Sequence, residues 1–294
     1  MSDVKKSTIL RVISASVGLP LYVFAITTDR LLSIPVLIAS MIITLISLNE
    51  YYIMCERDEG KPFRLVGLLT GASVNIIIYL FAFGEHWGFH EIFNSIDARV
   101  IIALFVLFIS IILIIQLFKR PINGGIYSLS VTVFGVVFFV LSFSHIILMK
   151  ALEHGLYYIL ILNIVVMLND TGAYFGGVLL GRHKTNFKVS PNKTWEGYLS
   201  GFFISIIAIV ITNEVIKSFF CISLFTMFEA VILGIFISIL GHIGDLVESV
   251  IKRDSAKKDS GTIIPGHGGM LDVFDALIFT FPFFYYYLIL KGVS

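Results

Sequence analysis

The chain has 294 residues, 57% hydrophobic and only 14% charged, against roughly 25% charged in a soluble globular domain. Mean hydropathy is +0.94, which excludes an ordinary soluble enzyme, and a net charge of +1 points to no nucleic-acid partner. Cys55 and Cys221 have neither metal-ligand spacing nor the number for a disulfide framework, and read as packing residues.

A spanning helix needs about 20 mostly apolar residues. Apolar runs broken by charge or Gly/Pro clusters predict spans near 9–28, 32–54, 65–83, 99–118, 128–148, 155–180, 196–213, 219–250 and 269–290. The expected fold class is all-α, a polytopic integral membrane protein of about nine transmembrane helices. It forms one integral membrane domain over residues 1–294, with catalytic motifs concentrated in 169–275. The first run follows a basic flank, as in a signal peptide, but more spans follow and no small-residue cleavage site is evident, so it is expected to stay as a span. The eighth run exceeds what a bilayer requires and contains "GHIGDLVES", which predicts that its second half enters a polar cavity or leaves the membrane. With nine spans, Arg30, Arg99, Lys150, Lys217 and Lys291 fall on one side and the other 16 of the 21 Lys and Arg on the opposite side. The richer side is cytoplasmic by the positive-inside bias. It holds the N-terminus and the connections 181–195 and 251–268.

Two polar clusters interrupt this chain. In "NDTGAYFGGVLLGRHKTNFKVSPNKTWEG", residues 169–197, Asn169 and Asp170 break an apolar helix. An ionisable residue at membrane depth is a functional candidate with a partner to be found. Gly172, Gly176 and Gly177 suit the close approach of a second helix, and Gly181 reads as a helix C-cap. Arg182, Lys184, Lys188 and Lys193 follow. Ser190 before Pro191 reads as an N-cap and first helical residue, which puts Lys193 in a first turn, where exposed backbone N–H groups favour phosphate.

In "GHIGDLVESVIKRDSAKKDSGTIIPGHGGMLDVFD", residues 241–275, Asp245, Glu248 and Lys252 share one helical stripe, and Asp272 and Asp275 lie three apart. Oxygen ligands suit hard divalent cations, and Mg²⁺ takes one or two carboxylates with water and substrate phosphate. Asp245, Asp272 and Asp275 are the candidate metal ligands. Between them, Gly266, Gly268 and Gly269 can turn N–H groups toward an anion, Lys252, Arg253, Lys257 and Lys258 surround the loop, and His267 is a candidate phosphate donor or acid/base group. The residues describe a metal-dependent, phosphate-handling centre, and leave open a nucleotide-using lipid enzyme or a phosphate-coupled transporter.

The stretch "SVIKRDSAKKDSGTIIPGHGGMLDVFD", residues 249–275, resembles the signature of the phosphatidate cytidylyltransferases, or CDP-diacylglycerol synthases. Ser249, Lys252, Arg253, Lys258, Asp259, Gly261, Pro265, His267, Gly268, Gly269, Asp272 and Asp275 match its pattern. "SPNKTWEG" is similar to the family's second conserved segment, and "RVISASVGLPLY" is weakly similar to its N-terminal part. Val273 departs, standing where the family has Arg, and Arg253 or Lys258 is expected to compensate. The resemblance implies transfer of the cytidylyl group of CTP to phosphatidate, with Mg²⁺ as cofactor and the identity of any second cation open. It implies catalytic roles for Lys252, Lys258, His267 and Asp272, substrate contacts by Asn169, Asp170, Arg182, Lys193, Arg253, Gly268 and Gly269, and Asp245, Asp272 and Asp275 as metal ligands. Glu50, near the cytoplasmic end of the second span, is expected to be a simple interface position, with lining of an entry route as the alternative. Membrane lipid and a homodimer are the expected partners, and the bacterial inner (cell) membrane the expected location, with the active site cytoplasmic. The alternatives are a CTP-dependent polyprenol or lipid kinase, and a non-catalytic transporter of anionic lipid.

Overall fold

The structure, a computed structural model, describes residues 2–28, 33–84 and 98–293, with side chains described from residue 10 in the first stretch and from 99 in the last. Arg30 and the side chains of Lys5 and Lys6, three members of the charge count, lie outside the described residues. Nine described helices are long and apolar enough to cross a membrane: α1 (Ser2–Thr27), α2 (Ile34–Met54), α3 (Arg64–Phe83), α4 (Ala98–Lys119), α5 (Gly125–Ala151), α6 (Gly155–Leu180), α7 (Trp195–Phe220), α8 (Met227–Asp254) and α9 (Met270–Leu290). The protein is an all-α, polytopic integral membrane protein. Helices suit this composition because each satisfies its own backbone groups where no water reaches them.

The seventh and eighth spans differ most from expectation. Asn213 and Glu214 read as a span end, yet α7 continues to Phe220. Asn213 is buried and faces the connection after the helix, donating to the Phe225 carbonyl (3.0 Å) and accepting from the Phe225 N–H (3.2 Å). Its amide therefore completes a turn that needs both a donor and an acceptor, and the polar residue lengthens the helix instead of ending it.

The chain divides into two compact units, residues 1–151 with 255–274, and residues 152–254 with 275–294. In the first, α2, α3 and α5 pack around Tyr52, which is 1% exposed and donates to the Thr132 carbonyl at 2.9 Å. Glycine admits this ring: a Cβ on Gly67 would lie 2.3 Å from the Tyr52 hydroxyl oxygen, and one on Gly135 2.8 Å from its ring. A π-helical turn at Val136–Val140 interrupts α5 and packs Phe139 against Tyr51 of α2, their ring centroids 4.9 Å apart. In the second unit, the glycines expected to bring helices together do so. A Cβ on Gly172 would meet Ile204 at 2.6 Å and one on Gly176 the Ser200 hydroxyl at 2.0 Å, while Gly197 and Gly201 of α7 lie against the α6 backbone. Without water to drive association, such close backbone contact is what holds helices together in a bilayer.

Candidate active site

Within the second unit, a ligand oxygen from each of Asp245, Glu248 and Asp275 lies within 4.8 Å of the others. Asp245 and Glu248 come from one stripe of α8, and Asp275 from α9. Gly244 makes the approach possible, since a Cβ there would sit 2.5 Å from the Asp275 carbonyl oxygen. Lys193 pairs with Asp245 and Lys252 with Glu248. Formally three negative charges face two positive ones, in a setting where the Glu248 side chain is 1% exposed. A residual negative charge and an all-oxygen donor set fit a hard divalent cation.

Asp245 also lines a pocket of about 450 Å³ with Asp170, Lys193, Tyr198 and His242. The His242 ring stands edge-on to Tyr198 at 4.5 Å, and Lys193 Nζ lies 5.5 Å from the Tyr198 ring centroid. The pocket wall on α6 continues through Tyr174 and Val178, which are 67% and 65% exposed. Polar floor and apolar rim together suit an amphiphile whose headgroup enters while its chains stay in the bilayer.

Lys193 does not reach the pocket from a helix. Ser190 and Pro191 lie in turns, and α7 starts later, with Thr194 as N-cap accepting from the Gly197 N–H at 3.2 Å. The reason is a short antiparallel pairing: Thr185 N–H donates to the Lys193 carbonyl (2.9 Å) and Trp195 N–H to that of His183 (3.0 Å). This pairing keeps the chain extended at Thr194, so the first-turn position expected for Lys193 is corrected to one just before the cap. Asn169 is fully buried, accepts from the Ser238 hydroxyl at 2.7 Å and donates to Asp170 at 3.2 Å. It ties α6 to α8, and Asp170 alone of the pair lines the pocket. Arg182 is exposed beyond α6, and Arg253 donates to the Val189 carbonyl at 3.3 Å.

The first unit holds a second constellation, residues 260–272 with Glu50. Asp272 Oδ2 accepts from Ser260 N–H (2.8 Å), Ser260 Oγ (2.9 Å) and Gly269 N–H (2.7 Å). The last is the returning arm of a capping box, an acid at the third helical position bonding the N-cap N–H. Glu50 of α2, 3% exposed, accepts from Met270 N–H (3.0 Å) and Leu271 N–H (2.9 Å), and shares the single Ser260 hydroxyl proton with Asp272, Ser260 Oγ lying 3.1 Å away. Two carboxylates therefore satisfy the orphan N–H groups at the start of α9, where the helix dipole favours negative charge. The glycines are explained by the same contacts. A Cβ on Gly261 would lie 2.4 Å and one on Gly269 2.5 Å from a Glu50 oxygen, and one on Gly268 2.5 Å from Asp272 Oδ2. Gly268 also has φ +102° and Gly266 φ +82°, which side-chain-bearing residues rarely adopt.

Of the residues expected at the site, the structure brings Asp245, Asp275, Lys193, Lys252 and Asp170 together in the second unit. Asp272, His267, Gly268 and Gly269 belong to the glycine turn of the first unit, with Lys258 exposed before it. Glu248 and Glu50 carry more than sequence reasoning gave them. Glu248 was visible on the Asp245 stripe, and Glu50 was visible as an acid inside an apolar span. Its partners, more than 200 positions away, were not.

The sequence model described as the Cytidylyltransferase family matches residues 9–290. Among curated proteins, the chain is 45% identical over 128 residues to a phosphatidate cytidylyltransferase of Staphylococcus haemolyticus (strain JCSC1435), covering 44% of this chain and 47% of that protein. It is 41% identical over 138 residues to the phosphatidate cytidylyltransferase of Bacillus subtilis (strain 168), covering 47% and 49%. The chain thus spans about half the length of the curated relatives it matches.

Proposed function

The chain belongs to the Cytidylyltransferase family, and from that membership we propose that it transfers the cytidylyl group of CTP to phosphatidate, giving CDP-diacylglycerol and pyrophosphate. The observation that carries this reading is the Asp245–Glu248–Asp275 group beside an amphiphilic pocket in a membrane-embedded unit. The names of the partial relatives support the choice of reaction.

In the proposed reaction, a phosphate oxygen of the lipid attacks the α-phosphorus of CTP. A P–O bond forms there, the bond to the bridging α–β oxygen breaks, and pyrophosphate leaves with that electron pair. The lipid phosphate is ionised at neutral pH, so no strong base is required. The barrier lies in joining two polyanions and in charge that builds on the leaving group. Asp245, Glu248 and Asp275 would hold Mg²⁺, which when bound supplies charge neutralisation to phosphate oxygens. Lys193 and Lys252 stand on these carboxylates and offer ammonium groups to phosphate, Asp170 faces the same pocket, and Arg182 and Arg253 add positive charge on adjoining segments. Lys258 and His267 are assigned phosphate contacts on the resemblance of the 249–275 signature. Asp272 remains a proposed metal ligand on the same ground, as do Gly268 and Gly269 as phosphate contacts.

Location in the cell membrane with the N-terminus and site on the cytoplasmic side rests on the Lys/Arg asymmetry, and a homodimer on the resemblance. The test is purified protein with phosphatidate, Mg²⁺ and CTP labelled at the α-phosphorus. Label in the lipid with release of pyrophosphate is expected. Label recovered as CDP would replace the reading with a lipid kinase, and no turnover would remove it.

A further inference from the structure

Helix α1 is among the helices least held by packing: only 11% of its apolar window is buried, and Val12, Ile13 and Val17 are 60%, 55% and 57% exposed. Yet one stripe of it is committed. Arg11 Nε donates to the Gly266 carbonyl at 2.8 Å, Ser14 Oγ donates to the Pro265 carbonyl at 2.8 Å, and Tyr22 stands edge-on to Phe274 at 6.1 Å. Positions 11, 14 and 22 share a helical face, and it addresses a single ten-residue segment.

The turn itself accounts for part of its backbone. Ile264 N–H donates to the Gly268 carbonyl (2.9 Å), and the N–H groups of His267 and Gly268 donate to the Ile264 carbonyl (3.0 and 3.1 Å). The adjacent carbonyls of Pro265 and Gly266 are satisfied from α1. An interfacial arginine serving only as a topology anchor would carry its head to water or lipid phosphate. This one instead bonds the peptide that leads directly into His267. Burial lowers the pKa of the His267 imidazole, and the Arg11 charge lowers it further.

We propose that α1 is a clamp on the 264–268 turn, with Arg11 and Ser14 as positioning residues that fix its backbone, and with it His267, for cytidylyl transfer. The role in turnover rests on the function proposed above; the clamp itself does not. Glu50 and Asp272 hold the chain on either side of the turn, at Ser260 and Gly269–Leu271. The α1 contacts hold the Pro265–Gly266 segment between them, so the histidine is placed from both directions.

The experiment uses the full chain in lipid nanodiscs, with Arg11→Met, Arg11→Lys, Ser14→Ala and wild type. Three measurements are made: steady-state kinetics with CTP and phosphatidate, hydrogen exchange at the Ile264, His267 and Gly268 amides, and the pH titration of the His267 ring. Because a displacement of about 1 Å can cost 10²-fold in rate, Arg11→Met should lower kcat by at least ~10-fold with little change in the KM for CTP, and Arg11→Lys should restore most of it. Exchange at the three amides should quicken in Arg11→Met, and less so in Ser14→Ala, which keeps the arginine. The His267 titration should move upward in Arg11→Met and stay in place in Arg11→Lys. If Arg11→Met leaves both kcat and exchange at wild-type values, the proposal is overturned. If wild type shows no cytidylyl transfer, the function reading fails, and the exchange data alone then uphold or reject the clamp. Should Arg11→Met not fold, Ser14→Ala decides by kcat and amide exchange.

Discussion

Replacing Glu50 by glutamine preserves shape and removes one acceptor. Glu50 spends Oε1 on Met270 N–H and Oε2 on Leu271 N–H and Ser260 Oγ, at 2.9–3.1 Å. Whichever way a glutamine amide is turned, its NH₂ faces one of the two helix N–H groups, donor against donor. A hydrogen bond to a charged group is worth about 1.5–3 kcal/mol, and a buried unpaired donor costs about 1–3 kcal/mol. These overlap, and the surviving bonds lose their charge assistance, so Glu50→Gln should destabilise by roughly 2–4 kcal/mol. For a chain of this size each kcal/mol moves Tm by about 2–4 °C, which gives a fall of roughly 5–15 °C. The assay is thermal exposure of Cys55, which is 8% exposed and lies just beyond the same helix, followed with a thiol dye in a Cys221→Ser background that removes the exposed thiol. A Tm within about 1 °C of the parent would show that the Glu50 carboxylate does not hold the start of α9.

Asp245→Asn should weaken Mn²⁺ binding, read by electron paramagnetic resonance, and lower turnover by ~10²-fold or more, a loss of about 2.7 kcal/mol; unchanged Mn²⁺ affinity would remove Asp245 from the metal site. Gly244→Val should push α8 off the Asp275 carbonyl, only 2.5 Å from the new Cβ, and abolish Mn²⁺ binding together with part of the stability; a variant that binds Mn²⁺ normally counts against the proposed cluster. Thr194→Val keeps the β-branch but loses the cap to Gly197, and should cost about 1 kcal/mol, while Thr194→Ser should not. Val273 is 43% exposed, so Val273→Arg introduces no clash. A clear gain in CTP affinity is expected if the valine is a deficit, and an unchanged enzyme would deny that position a phosphate contact.

The spans were legible because each needs only a local property, an apolar run of sufficient length, and the nine runs correspond to nine helices among the described residues. Their ends were less so. Asn213 looks like a terminator until its partner Phe225 is seen, and Ser190–Pro191 looks like a helix start until the Thr185 and His183 pairings show the chain still extended at Thr194. The stripe Asp245–Glu248–Lys252 follows from helical period alone. The choice of Glu248 as the third carboxylate does not, because it depends on where Asp275 arrives, and that is set by the missing side chain of Gly244. Glycines in the 261–269 turn were expected to free N–H groups for an anion. In the structure the Gly269 N–H meets the protein's own Asp272 and the next two N–H groups meet Glu50, and nothing in the local sequence says which carboxylate from 210 residues earlier will come.

The two acids of the Asp272–Asp275 pair face different surroundings although they stand only three positions apart. Asp272 Oδ2 receives three donors at 2.7–2.9 Å and closes the cap of α9, whereas Asp275 adds a third like charge to Asp245 and Glu248. A well-solvated-by-donors carboxylate stabilises the fold, and a crowded one is tolerated for what it binds. Asp272→Asn should therefore lower Tm by a few degrees, since its amide oxygen can still meet the donors on Oδ2 but without the charge that strengthens those bonds. Asp275→Asn should leave Tm unchanged or raise it in the absence of divalent cation, because it relieves the crowding of three carboxylates that two lysines balance only in part, while Mn²⁺ binding and turnover collapse. The opposite order of thermal stabilities would mean that the cap is dispensable and that the crowded cluster, against its electrostatics, holds the protein together.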